Sequence, residues 1–103
     1  MMLLLREDLL GAAIKEYPDL RGWLITWTRV TKEAAWTRLN DVRKDYPSAD
    51  GVKLRSQRVL TVFNAKGNAY RLLTNVDYAG QVVQVLELLT HAEYDKEQWK
   101  QRY

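Results

Sequence analysis

Three residues near the end of the chain have the types and spacing to share one piece of acid–base chemistry: Arg71, His91 and Tyr94. His91 is the only histidine, and it stands in Thr90-His91-Ala92-Glu93, a Thr-x-x-Glu pattern that caps a helix reciprocally. That pattern puts His91 at the first position inside a short final helix, where the partial positive charge of the helix end favours a neutral ring able to accept a proton. Tyr94 follows one turn later on the same face, with a hydroxyl that can orient a substrate or assist proton transfer, or a ring that only seals a core. Arg71 lies in the apolar run Tyr70-Arg71-Leu72-Leu73-Thr74, which reads as a strand, and a guanidinium fixed there is a rigid two-pronged donor to a phosphate. A proton acceptor, a hydroxyl and a fixed cation suit metal-free cleavage of a phosphodiester. Each residue also has a plainer reading, Arg71 as an ion pair with Asp77 or Glu87 and His91 as a capping or packing residue.

The elements that must position these groups are visible as changes of period. Leu9, Leu10, Ala13, Ile14 and Tyr17 recur at helical spacing up to Pro18, which breaks the pattern and suits the first turn of a new helix. The second helix carries Leu20, Trp23, Leu24, Trp27, Thr31 and Ala34 on one face, completing an amphipathic hairpin. Trp23 and Trp27, four apart beside leucines, are assigned to packing and not to base stacking. Asn40 is expected to cap a short helix over residues 41–45, which Tyr46-Pro47 ends. After Gly51 the period falls to two. Residues 58–64, 70–78 and 81–89 read as three antiparallel strands in sequence, with a shorter fourth over 52–55. Alternation sets Tyr70, Leu72, Thr74, Val76 and Tyr78 on one face, with Arg71, Leu73, Asn75 and Asp77 on the other. The final helix is expected to run from Thr90 toward Trp99 or beyond.

A chain of 103 residues fits one domain, residues 1–103, with a single modest core. With no cysteine and one histidine it has neither a disulfide framework nor a thiolate metal site, so no metal and no cofactor is expected. The apolar Met1-Met2-Leu3-Leu4-Leu5 stops at Arg6-Glu7-Asp8, too short for a signal-peptide core or a membrane span, and the expected location is the cytoplasm. Net charge is only +3, but its distribution is uneven. Between Gly51 and Asn75 lie Lys53, Arg55, Arg58, Lys66 and Arg71 without one acid, so this window carries +5 and the remainder −2. Such cations suit a polyanion, although strand-edge charges that deter aggregation account for some of them.

The segments Val62-Phe63-Asn64-Ala65-Lys66-Gly67-Asn68-Ala69-Tyr70-Arg71-Leu72 and Thr90-His91-Ala92-Glu93-Tyr94-Asp95-Lys96 resemble the "VFNxxGNxYRL" hairpin and terminal "THAEYD" of the HigB-type toxins, a branch of the RelE-like mRNA endonucleases. The resemblance extends from about Tyr17 onward through Trp23, Trp36, Tyr46-Pro47-Ser48-Ala49-Asp50 and Trp99-Lys100. It implies an α+β, RelE-like fold: an N-terminal helical hairpin packed on an antiparallel sheet of three or four strands, with a short C-terminal helix. It also implies the toxin of a type II toxin–antitoxin module that cuts mRNA on the translating ribosome and is neutralised by a helix-turn-helix (HigA-like) antitoxin. Arg71, His91 and Tyr94 match the motif positions and are the expected catalytic residues. Lys53, Arg55, Arg58 and Lys66 are the expected RNA contacts, with Asn64 and Asn68 left as turn residues. Roles within the site differ among RelE-like toxins, so the resemblance locates the site better than it divides the work.

Two departures stand out. Many HigB-type sequences carry a cation four residues before the threonine of "TH", where this chain has Leu86, and the N-terminal Leu3-Leu4-Leu5 also differs. Two other functions remain open on the same fold: a ParE-like gyrase inhibitor, which needs no acid–base residues, and a non-catalytic RNA- or ribosome-binding protein.

Overall fold

The helical pattern of the first third folds as a hairpin broken at Pro18, whose fixed φ and missing N–H suit the start of a new turn. A computed structural model describes the whole chain, residues 1–103. It comprises β1 (Leu3–Leu5), α1 (Asp8–Glu16), a 3-10 turn (Pro18–Leu20), α2 (Arg21–Glu33) and α3 (Leu39–Asp45). There follow β2 (Asp50–Lys53), β3 (Val59–Ala65), β4 (Tyr70–Asp77), β5 (Val82–Thr90), α4 (His91–Asp95) and a second 3-10 turn (Gln98–Arg102). No helix is long and apolar enough to cross a membrane.

The architecture is α+β, but the sheet has five strands in the order β1-β5-β4-β3-β2 and is mixed, correcting the expectation of three or four antiparallel ones. β2 to β5 form the expected antiparallel meander. β1 adds a parallel edge strand, with Leu3, Leu4 and Leu5 opposite Val82, Val83 and Gln84. Three residues are too few to show a period, and their partner lies far along the chain, so nothing local announces this strand.

Both faces of the sheet are covered. The hairpin face buries Leu20, Leu24 and Trp27 against Phe63, Leu72, Val83 and Val85, with Trp27 edge-on to Phe63 at 5.4 Å. Trp27 is thus a packing residue, and Trp23 packs partly buried against Tyr46. The opposite face buries Leu60, Val62, Leu73 and Leu89 under Trp99, which the C-terminal segment lays across them. The two faces of β4 hold the residues that alternation assigns to them. In β5 the alternation changes phase: Leu73 pairs with Glu87 but Thr74 with Val85, leaving Leu86 as the extra residue of a bulge. The bulge lets Val83, Val85 and Leu88 all serve the hairpin side, while Glu87 reaches the opposite face.

Two local expectations are also corrected. Asn40 does not cap α3; it lies inside the helix, and Arg38 holds the cap position without a side-chain bond. The end is secured instead by Asp41, whose carboxylate accepts from the Thr37 backbone N–H (2.9 Å) and hydroxyl (2.7 Å). These two donors hold the Asp41 carboxyl below its ordinary value. The last helix stops at Asp95, because Glu97 takes a left-handed conformation (φ 61°) that turns the chain so Trp99 can enter the second core. There Trp99 donates Nε1–H to the Tyr94 carbonyl at 3.0 Å.

The β3–β4 turn that precedes Arg71 carries positive φ at both Lys66 (51°) and Gly67 (68°). A Cβ at Gly67 would meet no atom, so Gly67→Ala isolates the backbone term. We expect it to lower stability by about 1 kcal/mol in urea denaturation, the usual cost of a left-handed conformation for an L-residue.

Candidate active site

β4 is the middle of the five strands, so Arg71 stands on the most constrained part of the sheet. Its cross-strand neighbours are Asn64 on β3 and Leu89 on β5. The side chain is 9% exposed, and its Nη1 donates to the carbonyls of Asn68 and Tyr70, each at 3.1 Å. Its Nη2 lies 3.1 Å from Nδ1 of His91, and its Cζ 5.5 Å from the centre of the Tyr94 ring. The ion-pair reading of Arg71 does not hold. Glu87 is occupied by Arg102 (2.7 Å) and the Tyr103 hydroxyl (2.8 Å), and Asp77 accepts from the Gly80 N–H (2.9 Å). A buried guanidinium without a carboxylate partner has its charge available to an arriving anion.

The capping box at the start of α4 forms as the spacing predicts: Glu93 N–H donates to Thr90 Oγ1 (3.2 Å), and Thr90 N–H to Glu93 Oε1 (2.9 Å). The His91 backbone N–H donates to the Ala69 carbonyl at 3.0 Å, fixing the helix start to the β3–β4 turn. The ring sits between Arg71 and Asp95, with Nε2 2.8 Å from Asp95 Oδ2. Nδ1 is 3.1 Å from both Arg71 Nη2 and the Asn68 carbonyl, two contacts that a neutral ring cannot satisfy at once. Arg71 can only donate and the carbonyl can only accept. The tautomer with its proton on Nε2 resolves this: Nε2–H donates to Asp95, Nδ1 accepts from Arg71, and Arg71 Nη1 serves the Asn68 carbonyl. A proton gained at Nδ1 would redirect that nitrogen to Asn68 and release the Nη2 arm of Arg71.

Tyr94 lies against Trp99, ring centres 5.1 Å apart and nearly parallel. Burial pushes its phenol above its ordinary value, so at neutral pH it is a proton donor and not a phenolate base. Arg71, Tyr94, Asn64, Asp50, Ser48 and Arg43 line an open cleft of about 390 Å³. His91, about half exposed, flanks Arg71 beside this cleft. Arg71, His91 and Tyr94 are therefore brought together as expected.

The four expected RNA contacts are not gathered in one place. Lys53 and Arg55 line a second groove against the C-terminal segment, and Arg58 lies 5.9 Å over the Tyr103 ring. Lys66 turns toward the helical hairpin and pairs with Asp19 at 3.2 Å, where the Tyr70 hydroxyl also donates. Leu86, where a cation is common, packs partly buried against the second core. Two further residues belong to the site. Asp95 was signalled by its i,i+4 spacing from His91 within the THAEYD motif. Arg43 had no local signal: it reaches the cleft from α3 because its Nε donates to the Ala49 carbonyl at 2.9 Å, across a loop.

The cap that sets His91 also gives a prediction. Thr90→Ala should cost about 1 kcal/mol of stability in urea denaturation, the typical value of a lost N-cap, and should slow any reaction that depends on His91 by loosening the first turn of α4.

The α+β architecture, a helical hairpin on one face of a mixed five-stranded sheet with a short helix near the C-terminus, is that of a RelE-like fold. Residues 21–97 match the family HigB_toxin, described as the RelE-like toxic component of a toxin-antitoxin system. The chain belongs to that family. It is 27% identical over 94 residues to the mRNA interferase toxin HigB of Escherichia coli (strain K12), covering 91% of this chain and 88% of the relative. The mRNA interferase HigB of Shigella flexneri matches to the same extent. That of Escherichia coli O6:H1 is 28% identical over 82 residues, covering 80% of this chain and 78% of the relative.

Proposed function

We propose that this chain is the toxin of a two-component module that arrests growth by cutting mRNA on the translating ribosome in the cytoplasm, working as one domain without metal or cofactor and neutralised by a helix-turn-helix antitoxin. The observation that carries the reading is the Asp95–His91–Arg71 line, in which a carboxylate fixes the histidine tautomer and the histidine lone pair faces an arginine free of any carboxylate. The names of the relatives, mRNA interferases, support the same substrate.

In the proposed reaction the message enters the cleft and a phosphate draws the Nη2 arm of Arg71 away from His91. Nδ1 is then free to take the 2′-hydroxyl proton as that oxygen attacks the adjacent phosphorus. Charge that builds on the phosphorane is met by Arg71, already desolvated and oriented by the Asn68 and Tyr70 carbonyls. Tyr94, held protonated by burial, gives its proton to the departing 5′-oxygen, and the P–O5′ bond breaks to leave a 2′,3′-cyclic phosphate and a 5′-hydroxyl. His91 then returns its proton to Tyr94 through solvent.

The ribosome enters because the cleft is small and open and has no row of stacking aromatics, so a strand bound by the protein alone is not aligned for attack at Arg71, and that alignment comes from the ribosome. A ParE-like role would leave the Asp95–His91–Arg71 line without a use. The test is primer extension on a reporter message, translated and untranslated in parallel. Cleavage confined to the translated copy is expected; equal cleavage of both, or of neither, would remove the ribosome from the reaction.

A further inference from the structure

The cleft over Arg71, about 390 Å³, is not the roomiest depression near the C-terminal segment. A second groove, of about 690 Å³, lies between the β2–β3 loop and the C-terminal 3-10 turn, lined by Lys53, Arg55, Ser56, Lys96, Lys100 and Tyr103 among others. Only one of its nine lining residues is hydrophobic, which argues against an apolar small molecule. Four cations face a single carboxylate, Glu97, and that one is engaged by Lys100 at 2.9 Å. Lys53, Arg55 and Lys96 have no acidic partner. Cations from two distant stretches of chain converge here, with Lys96 and Lys100 lying outside the basic window of residues 51–75.

Two elements contribute residues to both the groove and the cleft. On β2, Asp50 borders the cleft and Lys53, three residues and about 10 Å further along the same strand, borders the groove. On the C-terminal segment, Tyr94 borders the cleft while Lys96, two residues on, borders the groove. A chain leaving the cleft past Tyr94 therefore meets a run of unpaired cations.

We propose that this groove holds the sugar-phosphate backbone of the message adjoining the scissile phosphate, with Lys53, Arg55 and Lys96 as the contacting charges. The proposal rests on the RNA-cleaving reading above. Its contribution is the positioning of flanking phosphates, which weak stacking in the cleft does not supply.

The experiment measures binding and not cutting. A 2′-O-methyl oligoribonucleotide, which cannot be cleaved by its own 2′-oxygen, is titrated by fluorescence anisotropy against the wild type, Lys53→Gln and Lys53→Gln/Lys96→Gln over a range of salt concentrations. Both side chains are exposed, and thermal melting run alongside should be unchanged. Each lost phosphate contact should lower the slope of log K against log salt by about 0.7, so the double variant should fall by twice the single. A parallel arm sediments the same proteins with vacant ribosomes. An unchanged slope in the double variant would overturn the proposal. So would variants that bind the oligonucleotide normally but fail to sediment with vacant ribosomes, which would make the groove a contact for ribosomal RNA. If the groove fails while translated messages are still cut, the proposed function stands without it. If the wild type cuts no message, the function fails whatever the slope.

Discussion

His91→Gln is expected to lower single-turnover cleavage of a translated message by about 10²- to 10⁴-fold, the range for a lost general base, with little change in melting temperature. Glutamine suits the test because it can keep both hydrogen bonds of the ring. Its carbonyl can accept from Arg71 and its amide can donate to Asp95, the partners that His91 Nδ1 and Nε2 hold at 3.1 and 2.8 Å. The capping bonds of Thr90 and Glu93 remain, so α4 still begins at the same residue. Proton transfer is what the substitution removes. His91→Ala should be equally inactive. Full activity in the glutamine variant, or a melting temperature that falls in step with activity in both, would return His91 to a packing role and take the proton acceptor away from it, while Tyr94, held protonated by burial, would remain a proton donor.

Arg71→Lys is the second large effect: loss of about 3 kcal/mol at the barrier, or roughly a hundred-fold in rate, with the fold retained. Lysine keeps the charge and loses the fork. In the wild type one guanidinium reaches the Asn68 and Tyr70 carbonyls with Nη1 while Nη2 remains for His91 and then for phosphate. An ammonium at the same depth can satisfy the carbonyls or the phosphate, but it does not hold the orientation that serves both in turn. Single-turnover cleavage measured beside thermal melting separates the two effects. Wild-type rate in the lysine variant would mean that only net charge matters at this position.

Arg71, His91 and Tyr94 were findable in the sequence because each is placed by a short-range rule. Period-two alternation puts Arg71 on the face opposite Leu72, the Thr-x-x-Glu pattern starts α4 at His91, and helical spacing sets Tyr94 one turn later. The hairpin was legible for the same reason, since Leu20, Leu24 and Trp27 repeat at the helical period and Pro18 marks the break. What escaped depends on contacts between distant residues. β1 exists because three leucines find β5, and the phase of β5 depends on a bulge at Leu86 that no local pattern marks. Asn40 has the right chemistry for a cap, but α3 begins two residues earlier than it would allow, with Thr37 and Asp41 closing the end. The end of α4 follows from burial of Trp99, which the left-handed Glu97 makes possible. The basic window of residues 51–75 showed the charge but not its division, because Lys66 is drawn to Asp19 on the hairpin while Lys53 and Arg55 face the C-terminal segment.

The most direct test of the site is a message carrying a single 2′-deoxy nucleotide at the position the wild-type toxin cuts, presented on translating ribosomes beside its all-ribose twin. If His91 takes its proton from the 2′-hydroxyl, the deoxy position should remain intact while the twin is cut there to a 2′,3′-cyclic phosphate end. Equal cutting at the deoxy position would mean that another oxygen attacks the phosphorus, and would contradict the roles given to Arg71, His91 and Tyr94.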